Sequence, residues 1–190
     1  MISEVAVCNL ALAHLGCAGI ADLAEQSEAA RQCRTHYEPA LAAALAGHDW
    51  PFALRYMALA EKTTCPPGWS HAYQAPSDCL RVVAIMDREG PRTPPPAYEM
   101  GYGHIIMTDV SNAWARYVAQ VDDPARWPAQ FLQAMTWRLA ADLAMPLTGD
   151  RGRFNDASQM FEHIMASARA AALNEGQRAP VPDAVWISAR

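Results

Sequence analysis

Val5, Cys8, Leu12 and Leu15 recur at the spacing of one helical face. Ser3 stands where an N-cap belongs, and Gly16 follows as a stop, so the pattern predicts a first helix from Ser3 to Leu15. After a short loop, Cys17 to Gln26, Ser27 can cap a second helix that runs to about Ala46 and ends at Gly47. Pro39 lies inside it and removes one backbone donor, which predicts a kink or a break just before it. Helical spacing returns after Pro128, a residue suited to a first turn. Leu132, Met135, Leu139 and Leu143 form the stripe, and Pro146 and Gly149 end it. A fourth helix is predicted from about Asn155 to Asn174. Its Ala157, Phe161, Ile164, Ala168 and Ala171 alternate spacings of four and three, a coiled-coil-like face of small residues stopped by Gly176.

The middle third has a different texture. Pro51, Pro66, Pro67, Pro76, Pro91 and the run Pro94-Pro95-Pro96 forbid long helices there. Between them lie short runs suited to strands: Phe52 to Ala60, Leu80 to Met86, His104 to Thr108 and Ala113 to Val121. Asp87 to Gly90 reads as a turn, which makes the sheet antiparallel with a proline-rich loop. Trp50, Phe52, Trp69, Tyr73, Tyr98, Tyr102, Trp114, Tyr117 and Trp127 gather in and around this region. So small an insertion cannot hide them all, and the expectation is a mixture of core and partner-facing roles.

The fold these patterns predict is mainly α with a small β insertion, an α+β chain. It is a four-helix bundle-like domain with one inserted antiparallel sheet and an extended C-terminal arm. Residues 1–48 and 125–176 would make the helical domain, 49–124 the inserted β subdomain and 177–190 the arm. Composition sharpens this. The chain has 190 residues, 52% of them apolar and 18% charged, and 38 are alanine, which favours closely packed helices over disorder. A net charge of −5 argues against a broad basic face for nucleic acid. Five cysteines with no C-x-x-C pair argue against a disulfide framework and against a zinc cluster. Val5 to Ala21 is uncharged but holds Asn9, His14 and two glycines, so the reading is a soluble intracellular protein and not a membrane span.

Candidate chemistry is sparse. Gly101-Tyr102-Gly103 has neither a third glycine nor a Walker lysine, and Lys62 is the only lysine. His48-Asp49 beside Trp50 has the residue types of a hydrolytic dyad, although a helix-terminal His and a turn Asp read the same way. Cys33 and His36, one helical turn apart, could form a thiolate pair, against a packing role for Cys33. Asp122-Asp123, and Glu28 with Glu25, could bind a cation or be solvated loop carboxylates. None proposes a reaction. The reading is therefore no enzyme, no cofactor and no metal.

The order of residues carries more. Ser3, Cys8-Asn9-Leu10-Ala11-Leu12, Leu15-Gly16, Ile20 and Asp22-Leu23 lead to Ser27-Glu28-Ala29-Ala30, Cys33, Tyr37 and Pro39-Ala40. Then come His48-Asp49-Trp50-Pro51-Phe52-Ala53, with Tyr73 and Pro76-Ser77-Asp78-Cys79-Leu80-Arg81-Val82 further on. Thr108-Asp109, Tyr117, Leu139-Ala140 and Leu143-Ala144 complete the series. Together they resemble the tail tubular protein A-like family of phage head-to-tail adaptors, over roughly residues 3 to 175. That resemblance implies a structural virion protein of the tail or neck, assembled in the host cytoplasm. It would form a ring, dodecameric in the family, between the portal protein and a distal tail protein, and let DNA pass without gripping it. The alternatives are a small intracellular helical scaffolding protein and a small hydrolase. Pro91 to Pro96 and the stretch after Gly176 find no counterpart in the family pattern. In the arm, Val185, Trp186 and Ile187 are the candidate partner or subunit contacts, with Trp186 as anchor. The arm is expected to be loose in the free protein and ordered in the assembly.

Overall fold

The computed structural model describes residues 2–88, 90 and 94–175. Among these residues, four α-helices and two antiparallel sheets make an α+β fold. Helix α1 spans Glu4–His14 and α2 Glu28–Ala46, each opened by the serine expected of it. Ser3 Oγ accepts from the Ala6 N–H, and Ser27 Oγ from that of Ala30, so each serine satisfies one backbone donor the first turn leaves orphaned. Gly16, at φ 64°, turns the chain out of α1.

Helix α2 runs unbroken through Pro39, which corrects the expected break. Pro39 and Thr35 are both exposed, so the carbonyl that loses its partner lies where water can replace it. Helix α3 spans Ala129–Thr148, with Gly149 in the left-handed conformation at its end. Helix α4 spans Arg151–Glu175 and so starts four residues before the pattern placed it. The cause is Asp150, whose carboxylate accepts from the N–H groups of Gly152 (2.7 Å) and Arg153 (3.4 Å).

The helices do not form a simple four-helix bundle. α3 is central and packs on α1, α2 and α4, while α1 and α2 barely meet. Leu12, Leu15, Leu139, Leu143 and Ile164 are buried in one core with Phe131 and Met135, and Phe161 lies half-buried against it. Ten alanines among the described residues of the four helices are buried with them, which lets the helices approach closely.

Among the described residues the strands are, in order, β1 Leu54–Ala58, β2 Ala60–Glu61, β3 His71–Gln74, β4 Cys79–Met86, β5 Tyr98–Gly101, β6 Ile105–Thr108 and β7 Trp114–Ala119. They build two sheets where one was expected: a three-stranded sheet ordered β1-β7-β4 and a four-stranded sheet ordered β2-β3-β6-β5. The two sheets share a small core of Tyr73, Val82, Ile85, Ile106 and Tyr117 with four alanines. The three-stranded sheet also faces the helices, since Ala53, Val118 and Val121 belong to the helical core. Phe131 locks this junction. Its ring lies 5.1 Å from Trp50, 5.0 Å from Phe52 and 5.1 Å from Trp127, at steep angles that suit aromatic quadrupoles. Both indole N–H groups are satisfied, Trp50 by the Ala44 carbonyl and Trp127 by that of Val121, each at 2.9 Å.

Candidate functional site

Most of the residues singled out for chemistry turn out to hold the fold. Asp49 turns its carboxylate to Arg81 and, at 4.0 Å, to Arg116. Arg81 Nε also donates to the Ala46 carbonyl at 3.0 Å, so this cluster ties the end of α2 to β4. His48 packs edge-on against Trp50 at 4.9 Å, and burial pulls its imidazole below the usual histidine range. The arrangement orients Asp49 for an ion pair and not for a histidine, which counts against a hydrolytic dyad.

Cys33 is fully buried, and its partner is the thiol of Cys8 on α1. The interaction of the two thiols, and then burial, push that of Cys8 far up, while the same interaction draws that of Cys33 down. The acidic candidates have local duties as well. Asp123 caps a short 3-10 turn, Pro124–Arg126, through the Ala125 N–H, and Asp122 accepts from the Gln120 side chain at 2.7 Å. Glu25 accepts from the Ala21 N–H, which draws its carboxyl below the usual range, and Glu28 holds Arg31 and Gln32. Among the described residues no group of three His, Cys, Asp or Glu side chains is placed to hold a metal ion. Val185, Trp186 and Ile187 lie outside the described residues, as do Pro91, Arg92 and Thr93 of the proline-rich loop.

What sequence reasoning passed over lies on the strand edges. Gly101-Tyr102-Gly103, which lacks the features of a phosphate loop, is the tip of the β5–β6 hairpin. Gly101 pairs with Ile105, leaving Tyr102, Gly103 and His104 as the loop. Gly103 and His104 both take positive φ (75° and 57°), so the turn needs two left-handed residues in succession. Three hydrogen bonds from the neighbouring strand brace it. Gln74 Nε2 donates to the carbonyls of Gly103 (3.3 Å) and His104 (3.2 Å), and the Ala75 N–H to His104 (2.9 Å). On this braced tip Tyr102 is 100% exposed, and Met100 beside it is 44% exposed.

A second apolar exposure lies on β1, where Tyr56 is 59% and Met57 49% exposed. β1 is an edge of its sheet and leads through Leu59 into β2, the edge of the other sheet. β5 closes the far edge of that second sheet. It lies beside β4, because Tyr98 Oη donates to the Val82 carbonyl at 3.1 Å. The two exposures therefore occupy opposite edges of the strand region. Each offers large apolar side chains at an edge strand, the combination that accepts a partner. Tyr102 was legible as a β-region aromatic, but nothing in its spacing separated it from the buried Tyr73 and Tyr117.

No protein-family model matches the chain, and no curated protein matches it. Among the described residues no helix is long and apolar enough to cross a membrane.

Proposed function

We propose that this chain is a structural head-to-tail adaptor of phage particles, a ring-building connector without catalytic activity. One observation carries the reading: two different apolar surfaces, Tyr56 with Met57 and Met100 with Tyr102, lie on opposite edges of the strand region. Different surfaces on opposite sides suit a heterologous, head-to-tail contact between copies. Such a contact generates a ring when the rotation closes, whereas a two-fold dimer needs one surface that meets itself. The order of residues that resembles tail tubular protein A-like adaptors supports the same reading and supplies its finer terms. These are a dodecameric ring seated on the portal protein, a distal tail protein below, a place in the virion neck, and DNA passing unbound. The net charge of −5 suits a conduit that repels phosphate.

The finer architecture belongs to the proposal too. Residues 1–48 and 125–176 act as the helical scaffold, 49–124 as the contact-bearing insertion and 177–190 as an arm for the portal or a neighbour. The residues that carry the resemblance are largely those that hold the scaffold. Trp50 and Phe52 clasp Phe131, and Arg81 anchors α2. Asp78 accepts from Arg55 (2.6 Å) and Tyr117 (3.1 Å). Such a pattern marks a fold more than a reaction.

The test is negative-stain imaging and light scattering of the protein alone and mixed with a portal ring. Rings with a central hole are expected, and duplex DNA should not bind tightly at moderate salt. Met57→Lys and Tyr102→Ser should each abolish the rings, while an equimolar mixture of the two variants should give a dimer through the one interface each pair retains. Variants that assemble as wild type does would overturn the reading.

A further inference from the structure

Where the link from α2 to β1, the start of α3 and the C-terminal turns of α4 converge, a groove of about 280 Å³ opens. Pro51, Phe52 and Pro128 line it with Ala168 and Ala171 of α4, and His48 and Gln130 are its polar members. The apolar stripe of α4 runs into it. Ala157, Ile164 and Ala168 of that stripe are buried, whereas Ala171, its next member, is only half-buried. The stripe therefore continues about one turn past the surface that covers it. The rim carries a cation. Arg169 is exposed, and its Nη2 donates to the Gly47 carbonyl at 3.3 Å, next to His48.

An apolar segment with one carboxylate beside it matches such a groove, and the sequence supplies one close by. Helix α4 reaches Glu175, about 6 Å along its axis past Ala171. Fifteen further residues, 176–190, lie outside the described ones. Their one aromatic is Trp186, between Val185 and Ile187, and Asp183 is their one acidic side chain. The ten residues from Glu175 to Val185 can span up to about 33 Å, several times the distance back to Ala171. Gly176 is the residue type that lets a chain reverse after a helix, and Pro180 and Pro182 oppose further helix. So short a tether gives the chain's own arm a higher local concentration at the groove than a second copy has. An indole there would rest on Phe52 and the two alanines, with the Gln130 side-chain oxygen to accept its N–H. We propose that this groove seats the chain's own residues 183–187, with Trp186 inside it and Asp183 toward Arg169. In the free protein this replaces the expected loose arm with a held one. A portal or a neighbour that engages the arm has to draw it from this seat first.

The probe is the photo-crosslinker p-benzoylphenylalanine in place of Trp186, in the full-length protein irradiated at high dilution. A crosslink within one chain, to the peptide carrying Phe52 or Pro128, is expected. Its yield should fall about tenfold in Ala171→Glu, which sets an unpaired charge in the groove, and a fewfold in Arg169→Gln, with melting temperatures checked in parallel. Fluorine NMR of the 5-fluorotryptophan-labelled protein serves if Ala171→Glu fails to fold. The resonance that Trp186→Phe removes should lie away from that of a solvent-exposed indole. A crosslink at dimer mass gives the groove to a second copy and overturns the proposal. So does no crosslink, a crosslink elsewhere, a yield indifferent to both substitutions, or a Trp186 resonance at the exposed position. These readouts are those of a single chain and require no ring, so their failure and that of the adaptor reading are distinguishable.

Discussion

The helices and the strands of this chain solve the same problem of staying folded by different means. Around α3 the interior is Leu, Met, Phe and closely spaced alanine, and Thr136 is its one buried polar side chain among the described residues of the helices. Between the sheets the core is too small for area alone, and its tyrosines are anchored by their hydroxyls. Tyr73 Oη donates to the Val110 carbonyl at 2.8 Å and accepts from the Ala113 N–H at 3.4 Å, while Tyr117 Oη donates to Asp78. One half is held by packing, the other by aromatic rings with hydrogen-bonded ends. Substitutions that look alike on paper should therefore act differently in the two halves.

The largest effect should come from the junction. Phe131→Ala removes the ring that Trp50, Phe52 and Trp127 surround and should cost ~3–5 kcal/mol. If the halves fold as one unit, calorimetry should show a single transition moved down; two separated transitions would break the comparison into independent parts. Leu139→Ala, in the helical core, should cost ~2–5 kcal/mol, and a melting temperature within a degree or two of wild type would mean that α3 is not the centre of the core. In the sheet core, Tyr73→Phe keeps the ring but orphans two backbone partners. The expected cost is ~1–3 kcal/mol by denaturant unfolding, where an apolar reading of this core predicts almost none.

A smaller effect should appear with pH. Burial lowers the imidazoles of His14, stacked on Trp137 at 3.7 Å, and of His48. Between each lowered folded value and the ordinary ~6.5, the unfolded chain binds the proton that the folded chain refuses. Stability from these sites is therefore full at pH 7.5 and falls as the pH drops below about 6.5. His14→Gln with His48→Gln should flatten that slope in urea titrations at pH 5.5 and 7.5; an unchanged slope would assign it to other groups. The smallest effect on stability should be that of Tyr102→Ser, within about 0.5 kcal/mol, because its side chain is fully exposed. Its effect should fall on assembly alone.

The helices were legible because their signals are local. Ser3, Ser27 and Gly149 mark ends within one turn of the residues they serve, and the stripes of α1 and α3 repeat over several turns. The start of α4 was missed because Asp150 sits next to Gly149, and a stop and a start merged into one apparent loop. Strands β3 and β5 were missed for a different reason. His71–Gln74 and Tyr98–Gly101 have four residues each and no run of β-branched side chains, so their strand character comes from pairing with β6 on either side. The division into two sheets depends on the same distant pairings.

The bracing of the β5–β6 tip has a consequence for how tightly Tyr102 can hold anything. An unrestrained backbone surrenders roughly 1–2 kcal/mol of conformational entropy per residue when a partner fixes it. Gln74 and Ala75 already hold the carbonyls of Gly103 and His104, so much of that loss is incurred on folding and not on contact. Each square ångström that Tyr102 buries then yields more net affinity than the same area on a free loop. Gln74→Ala, which touches no partner surface, would restore that loss and slow the formation of any contact made by the tip.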